Sequence, residues 1–203
     1  MKNASGLQNI SRERIWSEIQ KILPQENAPA LLFELLRPSI YSFIIDKRMQ
    51  HSIPGWGSFT RLIDAQKVTK DPVVLMAAAC NFSSLEVENI ARNWKWSNSD
   101  KEHAMWLCEH IDKNSNLRWE IAINGAPREW VIELAALENR DGWEQNALAQ
   151  WMFKPFPING NDLISFGIKP GIAMGVMLRN LKEHWGNSGF SAKKEELLKN
   201  IDN

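Results

Sequence analysis

Short polar side chains stand repeatedly just ahead of apolar runs with helical spacing, and no stretch of convincing strand alternation breaks the series. Ser11 precedes Arg12 to Leu23, where Ile15, Ile19 and Ile22 recur at i, i+4, i+7. Asp71-Pro72 precedes the almost wholly apolar run Val73 to Cys80. Ser83-x-x-Glu86 and Ser99-x-x-Glu102 read as capping boxes, and Ser191 precedes a last helix over Ala192 to Lys199. Each such oxygen can accept a hydrogen bond from an orphan N–H at a helix start, and proline at the first helical position loses nothing by lacking its own. Asn27-Ala28-Pro29 opens another helix, with Leu31, Leu32, Leu35 and Leu36 as its buried stripe. Pro24 and Pro38 end the first two helices. Further helices are expected over Phe59 to Val68, Leu117 to Ile123, Arg128 to Glu138 and Trp143 to Met152. The pattern predicts an all-α fold, a multi-helical stack of helix pairs with about ten helices, because helices without a sheet bury their stripes on one another. Residues 1–10 read as a frayed leader, residues 39–56 as either strand or buried helix, and His51 to Gly57 as a loop. A division into 1–23, 24–125 and 126–203 follows the proline and glycine breaks.

In 203 residues the 24 basic and 24 acidic side chains cancel, so attraction to nucleic acid has to come from a local patch. Cys80 and Cys108 match no CxxC spacing and suggest neither a zinc site nor a disulfide framework. No apolar h-region or membrane-length run is present, and the expected location is cytoplasmic. Ten tryptophans against one tyrosine is an unusual usage. Indoles in helical segments mostly fill gaps between helices, although an exposed ring can stack on an unpaired base.

The most distinctive motif is glycine-rich and lies near the C-terminus. Asn161 or Asp162 caps a short helix, and Gly167 sits where that helix must stop in a left-handed residue. Lys169-Pro170-Gly171 turns the chain into a second helix reaching His184 or Trp185. Gly171 and Gly175 share one face of that helix. Two uses are open: the bare face lets the hairpin helices pack closely, or it exposes a helix N-terminus to a phosphate beside Lys169. Lys154, Lys169, Arg179, Lys182, Lys193, Lys194 and Lys199 give residues 151–203 a basic excess.

Catalytic constellations are sparse. There is no phosphate-binding P-loop, dinucleotide fingerprint, HExxH or GxSxG pattern, and no strand-borne carboxylate pair for magnesium. His103, His110 and Cys108 lack further ligands for a metal site. The residues favour a binding module over an enzyme.

Two stretches together resemble the tRNA nucleotidyltransferase (CCA-adding enzyme) and poly(A) polymerase family. One is Ile10-Ser11-Arg12-Glu13-Arg14 through Leu23, similar to the family's last neck helix. The other is Pro157 to Leu163 with Gly167-Ile168-Lys169-Pro170-Gly171, Gly175 and Leu178, similar to its C-terminal hairpin. The resemblance implies that a catalytic head, outside this chain, carries the metal-binding carboxylates and nucleotide loop. Magnesium, CTP and ATP would bind there, and no cofactor is expected on this polypeptide. It also implies a helical body and tail that grip the acceptor and T arms of tRNA. Ser11, Glu13 and Arg14 would steady the neck. Lys154, Asn161, Gly167, Lys169, Gly171, Gly175, Arg179, Lys182, Lys193 and Lys194 would contact RNA. Alone, the chain is expected to add no nucleotide, and a separate head polypeptide is a conceivable partner. The alternatives are a non-catalytic helical interaction protein and an independent nucleic-acid binder that uses the hairpin.

Overall fold

A computed structural model describes residues 9–35, 40, 44 and 59–199. Residues 1–8 of the expected leader, most of the ambiguous stretch 39–56, Leu36, and the loop from His51 to Gly57 lie outside the described residues. Among the described residues all regular structure is helical. The chain forms two compact units, Met1–Asn114 with Ala136–Arg140, and Ser115–Ala135 with Asp141–Asn203.

The first unit contains α1 (Arg12–Ile22), α2 (Ala28–Leu35), α3 (Thr60–Val68), α4 (Pro72–Ala79), α5 (Ser84–Asn93) and α6 (Asn98–His110). Its centre is α4, in which Val73 to Ala79 are all buried. Asp71 Oδ1 accepts from the N–H groups of Val73 (2.7 Å) and Val74 (3.3 Å), so a wholly apolar helix starts with its orphan donors satisfied. Ser11 Oγ accepts from Arg14 N–H at 3.3 Å, the expected cap of α1. Trp16 of α1 stacks on Trp96 and Trp94, with ring centroids 4.4 and 6.1 Å away. Glu13 pairs with Lys95 at 2.7 Å, which holds its carboxyl below the usual carboxylate range. The α1 stripe is therefore wider than Ile15, Ile19 and Ile22, since Trp16 and Leu23 are buried and Ile22 only partly so. On α2, Leu32 and Ala28 are buried while Leu31 is exposed and Leu35 half-buried. α6 starts at Ser97, whose Oγ accepts from Asp100 N–H, two residues before the expected Ser99 box.

The second unit begins with α7 (Leu117–Trp119), which widens into a π-helical turn, Glu120–Asn124, and ends on left-handed Gly125. α8 (Arg128–Leu137), whose last two residues belong to the first unit, α9 (Gly142–Gln150), α10 (Gly160–Ser165), α11 (Ile172–Asn187) and α12 (Lys194–Leu198) follow. The core of this unit joins Ile158, Leu163, Met174, Leu181, Trp185, Leu197 and Leu198, with Phe156, Phe190 and Met177 packed around them. Trp185 and Phe190 meet edge to face at 5.3 Å. The last helix starts at Lys193, not Ser191. Ser188 Oγ already accepts from Ser191 and Ala192 N–H, which keeps both in the preceding turn. Among the described residues four indoles are buried, Trp16, Trp94, Trp96 and Trp185, as gap-filling requires, but Trp143 is 74% exposed.

Candidate nucleic-acid interface

α10 and α11 form the expected hairpin, with one change at its start. Asn159, not Asn161 or Asp162, is the N-cap: its Oδ1 accepts from the N–H groups of Asn161 (2.9 Å) and Asp162 (3.3 Å). Asn159 N–H in turn donates to Asp162 Oδ2 at 2.9 Å, closing a reciprocal box. At the other end Gly167 has φ 84°; its N–H donates to Ile164 O, and Ile168 N–H donates to Leu163 O. Those two bonds are a Schellman stop, which needs the left-handed residue that glycine accepts without steric cost.

The close-packing use of Gly171 and Gly175 is overturned. A Cβ built at either glycine would meet nothing within 4 Å, and both positions are exposed. Contact within the hairpin runs instead through buried Leu163 and Met174, with Met174 Sδ 3.6 Å from the Cβ position of Gly160. The bare face is turned outward. α11 extends to Asn187, slightly past the expected end, and its start carries no side-chain cap, unlike α1, α4, α5, α6 and α10. Its first-turn N–H groups and dipole end are left for solvent or an anion. Gly171, Gly175 and Arg179 follow at four-residue steps, so the open backbone leads to a guanidinium on the same face.

The predicted cations divide into two groups. Lys154, Lys169, Arg179 and Lys193 are exposed, and none of their side chains has an ion-pair partner among the described residues. Lys194 and Lys182 also serve the fold. Lys194 Nζ lies 2.6 Å from Asp162 Oδ1, fastening α12 to the hairpin. That bond, with the one from Asn159 N–H, holds the Asp162 carboxyl below its ordinary range. Lys182 Nζ donates to the carbonyl of Ile123 at 2.6 Å. Asn161 is exposed on the first turn of α10. In the first unit, Ser11 caps α1 and Glu13 ties it to Lys95, while Arg14 is exposed.

Sequence reasoning missed two features of this region. Ile164, Phe166, Ile172 and Val176 make the hairpin's exposed flank apolar, Ile172 being 90% exposed. A groove of about 520 Å³ also opens on the second unit, between Trp119, Asn124, Phe156, Arg179, Lys182 and Glu183. The first unit has a hollow of about 500 Å³ near Arg61 and Asn81. There Arg61 is already paired with Asp112, and the remaining charged lining is Asp64 and Glu86, a poor seat for phosphate. Among the described residues no group of three His, Cys, Asp or Glu side chains is placed to hold a metal ion. His110 Nδ1 is bonded to Trp106 O at 2.7 Å, and burial pushes the Cys108 thiol up to about 12. No described helix is long and apolar enough to cross a membrane.

Among the described residues the helical fold carries an open, uncapped glycine hairpin beside cations without an ion-pair partner, an arrangement with which an anionic chain can engage. A family model described as the probable RNA and SrmB-binding site of polymerase A matches residues 1–52. Over 98% of its length the chain is similar to "CCA tRNA nucleotidyltransferase 1, mitochondrial" of mouse (26% identical over 219 residues) and of human (25% over 218). It is 28% identical over 214 residues to the "CCA-adding enzyme" of Ligilactobacillus salivarius, again with 98% of the chain covered. The chain spans about half the length of these relatives, 48% of the mammalian proteins and 52% of the bacterial one. The similarity to these relatives runs over nearly the whole chain, and the family model covers its first 52 residues.

Proposed function

We propose that this chain is the RNA-gripping portion of a CCA-adding tRNA nucleotidyltransferase. It holds the acceptor and T arms of tRNA by shape and backbone, while a head domain with magnesium and CTP or ATP performs the transfer. The observation that carries this reading is the match to CCA-adding relatives along 98% of the chain. The hairpin supports it physically. The uncapped start of α11 and the bare Gly171–Gly175 face let a phosphate approach backbone N–H groups, and Lys169 and Arg179 flank that approach. Ser11 and Glu13 steady the neck helix through the cap and the Lys95 pair. A head-domain polypeptide is the partner through which the grip becomes catalysis.

Titrating tRNA against the chain at two salt concentrations tests the proposal. Binding that weakens steeply with salt is expected, and it should exceed binding to duplex DNA of equal length. Absence of binding at low salt overturns the RNA reading. Equal affinity for duplex DNA makes the hairpin a general backbone binder instead. In a second assay, the chain with tRNA, CTP, ATP and magnesium should add no nucleotide to the 3′ end. Any extension would place transfer chemistry within this chain.

A further inference from the structure

The groove on the second unit combines features that the hairpin lacks. Trp119 and Phe156 supply aromatic surface, Arg179 and Lys182 supply positive charge, and Asn124 and Glu183 supply polar groups at the edges. The volume of about 520 Å³ falls within the roughly 300–1,000 Å³ common for small-ligand sites.

Trp119 is held rigidly. A Cβ at Gly186 would fall 2.3 to 2.9 Å from its six-membered ring, so the indole lies directly on the backbone of α11. Phe156 is braced by Trp185, with ring centroids 5.7 Å apart. Rings fixed by their own packing lose little freedom when a third ring joins them. The π-helical turn after Trp119 leaves the Ile123 carbonyl to be bonded by Lys182 Nζ, which anchors that ammonium at the groove. An ammonium has three donors, so two remain for a ligand. Arg179 has no ion-pair partner among the described residues and keeps its full donor fork. Asn124 uses its amide N–H on Glu120 Oε2 at 2.7 Å, and its amide oxygen is left to accept. Glu183, the one acid of the lining, repels a phosphate placed against it but can accept from an exocyclic amino group.

We propose that this groove takes one unpaired nucleotide of an RNA chain, its base against Trp119 and Phe156 and its phosphate on Arg179 and Lys182. Stacking with a charged clamp is the usual chemistry of single-nucleotide recognition, and a stacked pair inside a duplex could not enter. The reading of the nucleotide as part of an RNA rests on the RNA-binding function proposed above. The groove's affinity for a nucleotide rests on its own residues.

The test uses the whole chain labelled with nitrogen-15, following the Trp119 indole N–H resonance by NMR. Adenosine 5′-monophosphate is the probe and ribose 5-phosphate the baseless comparison. AMP should move the Trp119 resonance to saturation, whereas ribose 5-phosphate should leave it nearly in place. Arg179→Gln, at an exposed position, should weaken AMP binding about tenfold with folding intact. A still Trp119 resonance at high AMP, or equal shifts with ribose 5-phosphate, overturns the assignment. If tRNA binds but leaves Trp119 unmoved, the groove assignment falls while the RNA function stands. If AMP moves Trp119 but no tRNA binds at low salt, the RNA function falls and the groove is no RNA subsite.

Discussion

Gly175 and Gly186 stand on the same helix and have opposite reasons for lacking a side chain. At Gly186 the reason is packing, because the Trp119 ring occupies the space a methyl group would need. The ring is seated in the unit's aromatic cluster beside Phe190 and cannot swing aside cheaply. Gly186→Ala should therefore destabilise the protein by about 1–3 kcal/mol, read as a lower urea midpoint at unchanged slope. An unchanged midpoint would mean that Trp119 does not lie on this backbone. Gly175 has open space around it, so alanine there removes only the flexibility cost of a mid-helix glycine. Gly175→Ala should raise stability by up to about 1 kcal/mol. If a phosphate approaches this face, the same methyl should weaken tRNA binding about tenfold, the loss of roughly one charge-assisted contact. A gain in stability with unaltered affinity would show that the face is not used.

Among the elements, α12 is fastened to the hairpin through Lys194 and Asp162, and this joint responds to acid. Lys194 and the Asn159 N–H both bond the charged carboxylate, so the folded protein holds Asp162 below its ordinary pKa. The unfolded chain then takes up the proton first. The pair's contribution is complete above the ordinary carboxylate pKa of about 4 and is lost as pH falls through the lower folded value. Asp162→Asn should melt lower than the parent at neutral pH, with the gap closing as pH falls below about 4; a gap independent of pH would sink this account. The hairpin itself was legible in the sequence because its punctuation is local: left-handed Gly167, the Lys169-Pro170-Gly171 turn, and the bare step to Gly175. The same holds for α4, where Asp71-Pro72 opens an unbroken apolar run. Cap positions were less legible wherever polar residues cluster. Asn159-Gly160-Asn161-Asp162 offers several oxygens, and only Asn159 has an acid three residues on. Ser97 and Ser99 each have such an acid, and burial of Trp96 beside Ser97 accompanies the earlier start. The groove could not be read at all. Trp119, Phe156 and Arg179 lie far apart in the chain, and tertiary packing, Trp119 on Gly186 and Phe156 on Trp185, brings them together.

For the whole molecule, zero net charge removes any long-range pull on a polyanion, so RNA affinity has to arise from the few cations that the fold leaves unpaired. Lys154, Lys169, Arg179 and Lys193 meet that condition, all within the second unit. Lys194 and Lys182 are partly committed, one to Asp162 and the other to the Ile123 carbonyl. Counterion release turns this division into a measurable slope. Each phosphate neutralised steepens the fall of log K with log salt by roughly 0.7–0.9. Changing Lys154, Lys169, Arg179 and Lys193 singly to glutamine should flatten the slope for tRNA by about that amount wherever the residue meets a phosphate. Exposed surface substitutions of this kind stay within about 0.5 kcal/mol in stability, so melting curves should barely move. Lys194→Gln should behave differently, lowering the melting midpoint through the lost Asp162 joint and changing the salt slope less than Lys169→Gln. If the slope instead stays the same in all four exposed variants, the phosphates are not met by these four side chains. Lys182, Lys194 and residues 1–52, where the polymerase A family model matches, would be the next places to change.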